Sequence, residues 1–251
     1  MFYAISAMLI WATTPIQVRL INLDFISLIF WTNFFAIIPA IIIFFLKDTK
    51  QNLEIFIQNK NILLAVGILA TINGLTYILS IKLTTVANAV ITHYMTPVIV
   101  AVAAPFFLKE QFNIRTLIAL ILSIIGLLLI VDINNLRFEN QDFKGILCGL
   151  TSAFAYAAVI IIGRHFKSQI QPFIYIIAQS GTALLALCFV TDYNYFSKDL
   201  TTQICVLTFA AFNIFFRRLS IFYSADYCIC YYCRYFRLYR TNWFDNHCAF
   251  L

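Results

Sequence analysis

Apolar stretches of about 20 residues recur along most of this chain. Coiled as a helix at 1.5 Å per residue, such a stretch covers the roughly 30 Å hydrocarbon layer of a bilayer. The stretches lie near residues 3–22, 25–46, 62–81, 86–108, 116–132, 145–163 and 172–191, with an eighth beginning near 202. Only 11% of the 251 residues are charged and 62% are hydrophobic, against about 25% and 45–50% in soluble domains. The pattern predicts an all-α fold, a polytopic transmembrane helix bundle. The first stretch has no basic start and no small-residue cleavage site before Pro15, so it reads as a retained span and not as a signal peptide.

The net charge of +6 is better read loop by loop than as a nucleic-acid signal, because the cations flank apolar spans. With a cytoplasmic N-terminus, the inner loops carry Lys47, Lys50, Lys60, Lys109, Arg115, Arg164 and Lys167, and the outer ones Arg19, Lys82, Arg137, Lys144 and Lys198. That is a weak positive-inside bias. No nucleic-acid partner is expected; the partner surface is the lipid bilayer.

An internal repeat relates the first and sixth spans. Aligning AMLIWATTPIQVRL with SAFAYAAVIIIGRH brings Trp11 onto Tyr156 and Arg19 onto Arg164 at one common offset, an aromatic within each span and a cation at its end. The second and seventh spans match more loosely, with Asn33 near Gln179 and Ala36 near Gly181. Five spans separate the copies, so the second enters the membrane from the opposite side. Inverted repeats of this kind occur in secondary transporters, whose substrate site lies between the halves near the bilayer midplane.

The stretch ANAVITHYMTPVIVAVAAPFFLKE followed by TLIALILSIIGLLLI resembles the EamA-type repeat of the drug/metabolite transporter superfamily. The resemblance is carried by Ala87-Asn88-Ala89, Pro97, Phe107-Leu108-Lys109-Glu110 and Gly126, and by Trp11 with Arg19, although Ala12 stands where the family has glycine. It implies a first repeat of five spans over 1–132 and an incomplete second repeat over 144–216. It also implies a permease for a small organic metabolite in a bacterial inner membrane, with no cofactor.

The residues themselves nominate a cavity. Pro97 removes a backbone hydrogen bond in the fourth span, and lipid tolerates the freed carbonyl only where protein or a wet cavity satisfies it. That predicts a kink at Pro97 aimed inward, with Lys109-Glu110 marking the exit from the bilayer. Asn73, Thr76, Tyr77 and Ser80 form one polar stripe on the third span; Asn88, Thr92 and Thr96 form another on the fourth, with His93 beside it. Such stripes are either interhelical hydrogen-bond glue, worth about 0.6 kcal/mol per contact, or a cavity wall. His93 is the one strongly titratable candidate near mid-membrane in the first seven spans; it is either a satisfied hydrogen-bonding residue or a proton relay. Trp11 and Tyr156 are either packing aromatics or a stacking surface for a flat or cationic solute. No HExxH, GxSxG or paired intramembrane carboxylates suggest an enzyme.

From Arg217 the composition changes. Residues 217–251 hold five of the nine arginines and four of the seven cysteines, and Arg217 and Arg218 at mid-bilayer would cost about 2.5–3.5 kcal/mol each. Cys228, Cys230, Cys233, His247 and Cys248 match no standard zinc spacing, and no metal is expected. The tail is either genuinely divergent or the product of a shifted reading frame, the preferred account: codons for Tyr, Cys and Asp read one nucleotide later mainly specify Ile, Thr, Val and Ala, which would restore an apolar span. The chain as given then lacks an intact second half. It is either inactive, a nontransporting remnant, or completed by a homodimer or another subunit.

Overall fold

The computed structural model describes residues 13–108, 118, 121–122, 125, 140–166 and 170–211. Trp11, most of the fifth span and the tail 217–251 lie outside the described residues. The described chain is helical: α1 (Thr14–Leu20), α2 (Phe25–Leu46), α3 (Thr49–Gln58), α4 (Lys60–Leu83), α5 (Val86–His93), α6 (Thr96–Leu108), α7 (Asn140–His165), α8 (Pro172–Leu187) and α9 (Leu200–Thr208), with a short 3-10 turn at Asn194–Ser197. Among the described residues, four stretches are long and apolar enough to cross a bilayer: Phe25–Leu46, Lys60–Leu83, Val86–Phe107 across α5 and α6, and Gln141–His165.

The helix starts follow from side-chain caps. Asp24 accepts from the backbone N–H groups of Ile26 and Ser27, both at 3.0 Å, and opens α2. Asp48, Thr85 and Asp199 do the same for α3, α5 and α9. The expected 62–81 and 145–163 spans each lengthen by a few residues at both ends. The expected 172–191 span is shorter: α8 ends at Leu187 and the chain turns. Residues 49–58, read as loop, form α3.

The packing is inverted relative to a soluble protein. Ser27, Thr32, Ser80 and Ser152 are fully buried, whereas Ile42, Phe45, Leu64, Phe106 and Phe154 are exposed along the spans. This is the arrangement lipid demands, with backbone and hydroxyl groups satisfied inside and apolar side chains outside.

Among the described residues helix α4 is the centre of the bundle, packing most extensively on α7 and then on α8; α7 packs also on α5 and α6, and α8 also on α2. What permits the close approach is a stripe of small residues at every fourth position of α7, namely Gly145, Gly149, Ala153 and Ala157, all buried. A Cβ on Gly149 would stand 1.9 Å from Thr92 Oγ1 and 3.0 Å from Ser80 Oγ, and one on Gly145 would meet Thr84 at 2.7 Å. On the other side of α4, a Cβ on Gly67 would meet Thr182 Oγ1 at 2.1 Å.

Contacts between helix ends define two faces. On the first, Lys82 donates to the Leu23 carbonyl, Thr84 Oγ1 donates to Asp142 at 2.9 Å, and the Asp192 N–H donates to Ser27 Oγ at 2.9 Å. Trp31, whose Nε1 donates to the Asp192 carbonyl at 3.3 Å, stacks on Tyr195 at 4.7 Å beside them. On the second, Asn52 donates to the Phe44 carbonyl at 3.0 Å and Lys47 lies over the Phe173 ring. Lys82, Lys144 and Lys198 thus belong to the first face, and Lys47, Lys50, Lys60 and Arg164 to the second.

Candidate functional site

The fourth span does not run straight through Pro97. Helix α5 stops at His93, Tyr94 and Met95 form a turn, and α6 restarts at Thr96. Pro97 therefore sits in the first turn of α6, where a missing N–H costs nothing within that helix. The carbonyl a continuous helix would have bonded to residue 97 is that of His93, and Thr96 Oγ1 donates to it at 2.7 Å. The Thr-Pro pair is thus self-satisfying: the proline frees an acceptor and its neighbour's hydroxyl fills it. The span does break beside Pro97, where the kink was expected, but the proline itself is exposed and the buried member of the pair is Thr96.

The break presents the His93 side chain to α4 and α7. Its ring packs against Tyr77 at 4.2 Å between centroids, inclined by 32°, and against Tyr156 at 5.7 Å and 21°. His93 Nδ1 lies 2.8 Å from Ser152 Oγ. Ser152 gives its one proton to the Gly149 carbonyl at 2.6 Å, so toward the imidazole its oxygen accepts. That arrangement suits the tautomer with its proton on Nδ1. Thr96 Oγ1 also reaches the Ala153 carbonyl at 3.3 Å, tying α6 to α7 at the same level. His93, Thr96 and Ser152 are at most 3% exposed.

Four sequence-nominated residues thus meet: Tyr77 from α4, His93 at the end of α5, Thr96 at the start of α6 and Tyr156 from α7. Asn88 belongs to a separate network nearer the first face, donating from Nδ2 to Thr84 Oγ1 at 3.1 Å, which in turn donates to Asp142. Asn73 lies one turn from Tyr77 on α4, and its buried Oδ1 has no hydrogen-bond partner among the described residues. Gln179 is buried on α8, which packs on α2 and on α4, the helix that carries Tyr77. Of the two stripes, Ser80 binds the Gly145 carbonyl across helices at 2.7 Å, while Thr76 and Thr92 bond back to their own helices.

Ser152 and the small-residue stripe were not nominated from the sequence. The stripe was readable, since Gly-x-x-x-Gly with small residues continuing every fourth position marks a close-packing helix face. Ser152 was not, because one serine among apolar residues carries no partner information. Among the described residues no three His, Cys, Asp or Glu side chains gather in a way that would hold a metal.

Polar side chains held inside bilayer-length helices whose outer surfaces are Ile, Leu and Phe define an all-helical, multi-pass membrane protein. Residues 1–132 match the EamA-like transporter family, and the chain belongs to that family, whose members are transporters and not enzymes. An uncharacterized transporter of Archaeoglobus fulgidus is 29% identical over 168 residues, covering 67% of this chain and 57% of that protein. The uncharacterized transporter YxxF of Bacillus subtilis is 26% identical over 125 residues, 49% of this chain and 40% of that one. The chain thus spans about half the length of the curated relatives it matches. One solved crystal structure superposes with a TM-score of 0.65 at 14% identity, covering 88% of this chain and 77% of that one, a likeness of fold alone.

Proposed function

We propose that this chain is a secondary transporter of a small organic metabolite in a bacterial inner membrane, working by alternating access between two inverted halves. The observation that carries the reading is the stack of Tyr77, His93 and Tyr156, which joins helices of the first repeat to α7, the first helix of the second repeat. A solute-binding surface between halves needs groups from both at one level. Here two phenol rings supply flat faces for stacking, and the imidazole and Thr96 supply polar atoms in an apolar setting. The inverted arrangement is supported by the direction of α7, whose start contacts Thr84 at the first face while α1 leads into that same face at Leu23. Contacts of Asp142 with Thr84 and of Gly145 with Ser80 hold the halves together there, so transport requires them to part when the site opens to that side.

The test is flux in proteoliposomes loaded with a panel of small amines, amino acids and nucleobases. Saturable uptake that disappears in Tyr77→Ala and His93→Ala supports the carrier; absence of saturable flux for wild type across the panel favours the second reading. That reading is a nontransporting remnant, or a half completed by a homodimer or another subunit. The composition of residues 217–251 favours it, with five arginines where the repeat calls for apolar spans. The encoding DNA read in the alternative frame from codon 217 discriminates: a continued apolar span supports a shifted frame, an early stop refutes it.

A further inference from the structure

Helix α3 lies between two bilayer-length helices, yet it is too short and too polar to be a span. Its inner side is fixed: Asn52 is buried with its Nδ2 on the Phe44 carbonyl at 3.0 Å, and Ile55 and Phe56 pack into the cluster formed by Leu63, Phe173 and Ile174. Leu53 and Ile57, one turn apart, are more than half exposed, although they carry the most apolar free surface of the helix. Exposed Phe45, Leu46 and Leu64 of the adjoining helix ends extend that surface.

Around a helix of 3.6 residues per turn, Lys50 follows directly on the Leu53–Ile57 edge, and Glu54, Gln58 and Gln51 come next. The order from one flank to the other is therefore buried, apolar, cationic, then the acidic Glu54 beside Lys50, and last the neutral-polar Gln58 and Gln51. That is the section of a helix lying in a membrane interface, with its apolar edge in the upper acyl region and its lysine reaching up beside it to the phosphate level. Lys47, Lys50 and Lys60 are exposed within this segment and outnumber its acids, Asp48 and Glu54. Of its two acids, Asp48 caps α3 through the Gln51 N–H at 3.2 Å and Glu54 accepts from Gln58 at 3.0 Å.

We infer that α3 and the lysines flanking it form a binding surface for anionic phospholipid headgroups in the leaflet at the second face. Leu53 and Ile57 seat the helix, and Lys50 and Lys60 hold the phosphates. Lys47 is partly engaged over the Phe173 ring, with Nζ 5.6 Å from its centroid, so it contributes less. This surface is distinct from the stack of Tyr77, His93 and Tyr156 and does not depend on what that stack binds.

The full chain, reconstituted in nanodiscs of mixed phosphatidylglycerol and phosphatidylcholine, is released and its retained lipid identified by native mass spectrometry. Wild type is expected to retain phosphatidylglycerol in excess of the bulk ratio. K50Q/K60Q lowers that enrichment by about thirtyfold, taking roughly 1 kcal/mol per surface lysine. The matched pair K144Q/K198Q, on the first face, leaves it unchanged, and K50R/K60R keeps it. Equal retention by wild type and K50Q/K60Q overturns the inference, as does an equal loss in both glutamine pairs. Should K50Q/K60Q fail to fold, Leu53→Trp in the otherwise native chain gives the second reading: its added fluorescence is quenched more by brominated phosphatidylglycerol than by brominated phosphatidylcholine, and equal quenching overturns the idea.

Discussion

His93 Nδ1 and Ser152 Oγ, 59 positions apart in sequence, lie 2.8 Å apart between α5 and α7. With Ser152 donating to Gly149, this contact favours the tautomer protonated on Nδ1 and holds the ring in position. Ser152→Ala leaves a buried Nδ1–H without its acceptor, at a cost of about 1–3 kcal/mol. The expected outcome is a lower apparent melting temperature and a changed Nδ1/Nε2 pattern in the nitrogen NMR spectrum of labelled histidine, both restored by Ser152→Thr. An unchanged tautomer in Ser152→Ala rules out the role assigned to the serine.

The two phenol rings act through their faces in this geometry. Tyr77→Phe and Tyr156→Phe are expected to keep solute affinity within a few-fold. Tyr77→Ala and Tyr156→Ala lose about 0.5–1.5 kcal/mol of stacking apiece in addition to buried area, read as a raised half-saturation constant for flux. If the phenylalanine variants fail as badly as the alanines, the hydroxyls and not the faces carry binding.

Gly149 has no room for a larger side chain, since its added Cβ would stand 1.9 Å from Thr92 Oγ1. Gly149→Val is expected to separate α7 from α4 and α5 and to cost several times the roughly 1–3 kcal/mol of an ordinary overpacked site. The readout is yield of monodisperse protein after detergent extraction. Thr92→Ala, which removes the closest atom, recovers part of the loss for Gly149→Ala. Wild-type yield from Gly149→Val contradicts the packing described above.

Asp24 supplies a pH dependence. Burial pushes its carboxyl up, but hydrogen bonds from the side chain and backbone of Ser27 and from the Ile26 N–H outweigh it, leaving the group below the usual aspartate value. A carboxyl whose folded value is depressed stabilises the fold above its unfolded value, about 3.9, and loses that contribution as pH falls through the folded value. Asp24→Asn keeps the cap and should abolish the dependence. Asp24→Ala removes the cap at about 0.5–2 kcal/mol. Thermal unfolding of the three proteins between neutral pH and pH 3 checks the order; parallel curves would contradict it.

Much of the site was legible because periodicity reports one helix at a time. Spacing put Asn73, Thr76, Tyr77 and Ser80 on one side of α4 and set His93 beside Thr96. What spacing did not report is which polar group meets which. Ser80 binds a backbone carbonyl of α7, Tyr77 meets an imidazole, and Gln179 lies with α2 and α4. The break beside Pro97 was legible; that Thr96 and not the proline would be the buried member, with its hydroxyl on the freed His93 carbonyl, was not. Residues 49–58 passed for loop because their apolar side is narrow and half of it faces outward.

By itself the sequence determined that this chain lives in a bilayer as helices, where they run, and which of their sides are polar. These depend on rise per residue and on the cost of unsatisfied backbone in lipid, which act on each segment alone. Only the tertiary structure decided that α4 and α7 pack most extensively on each other and that a histidine, two tyrosines and a serine from three helices share one point. Those outcomes depend on how closely two backbones approach, and that distance is set by glycines and alanines whose effect exists only against a partner.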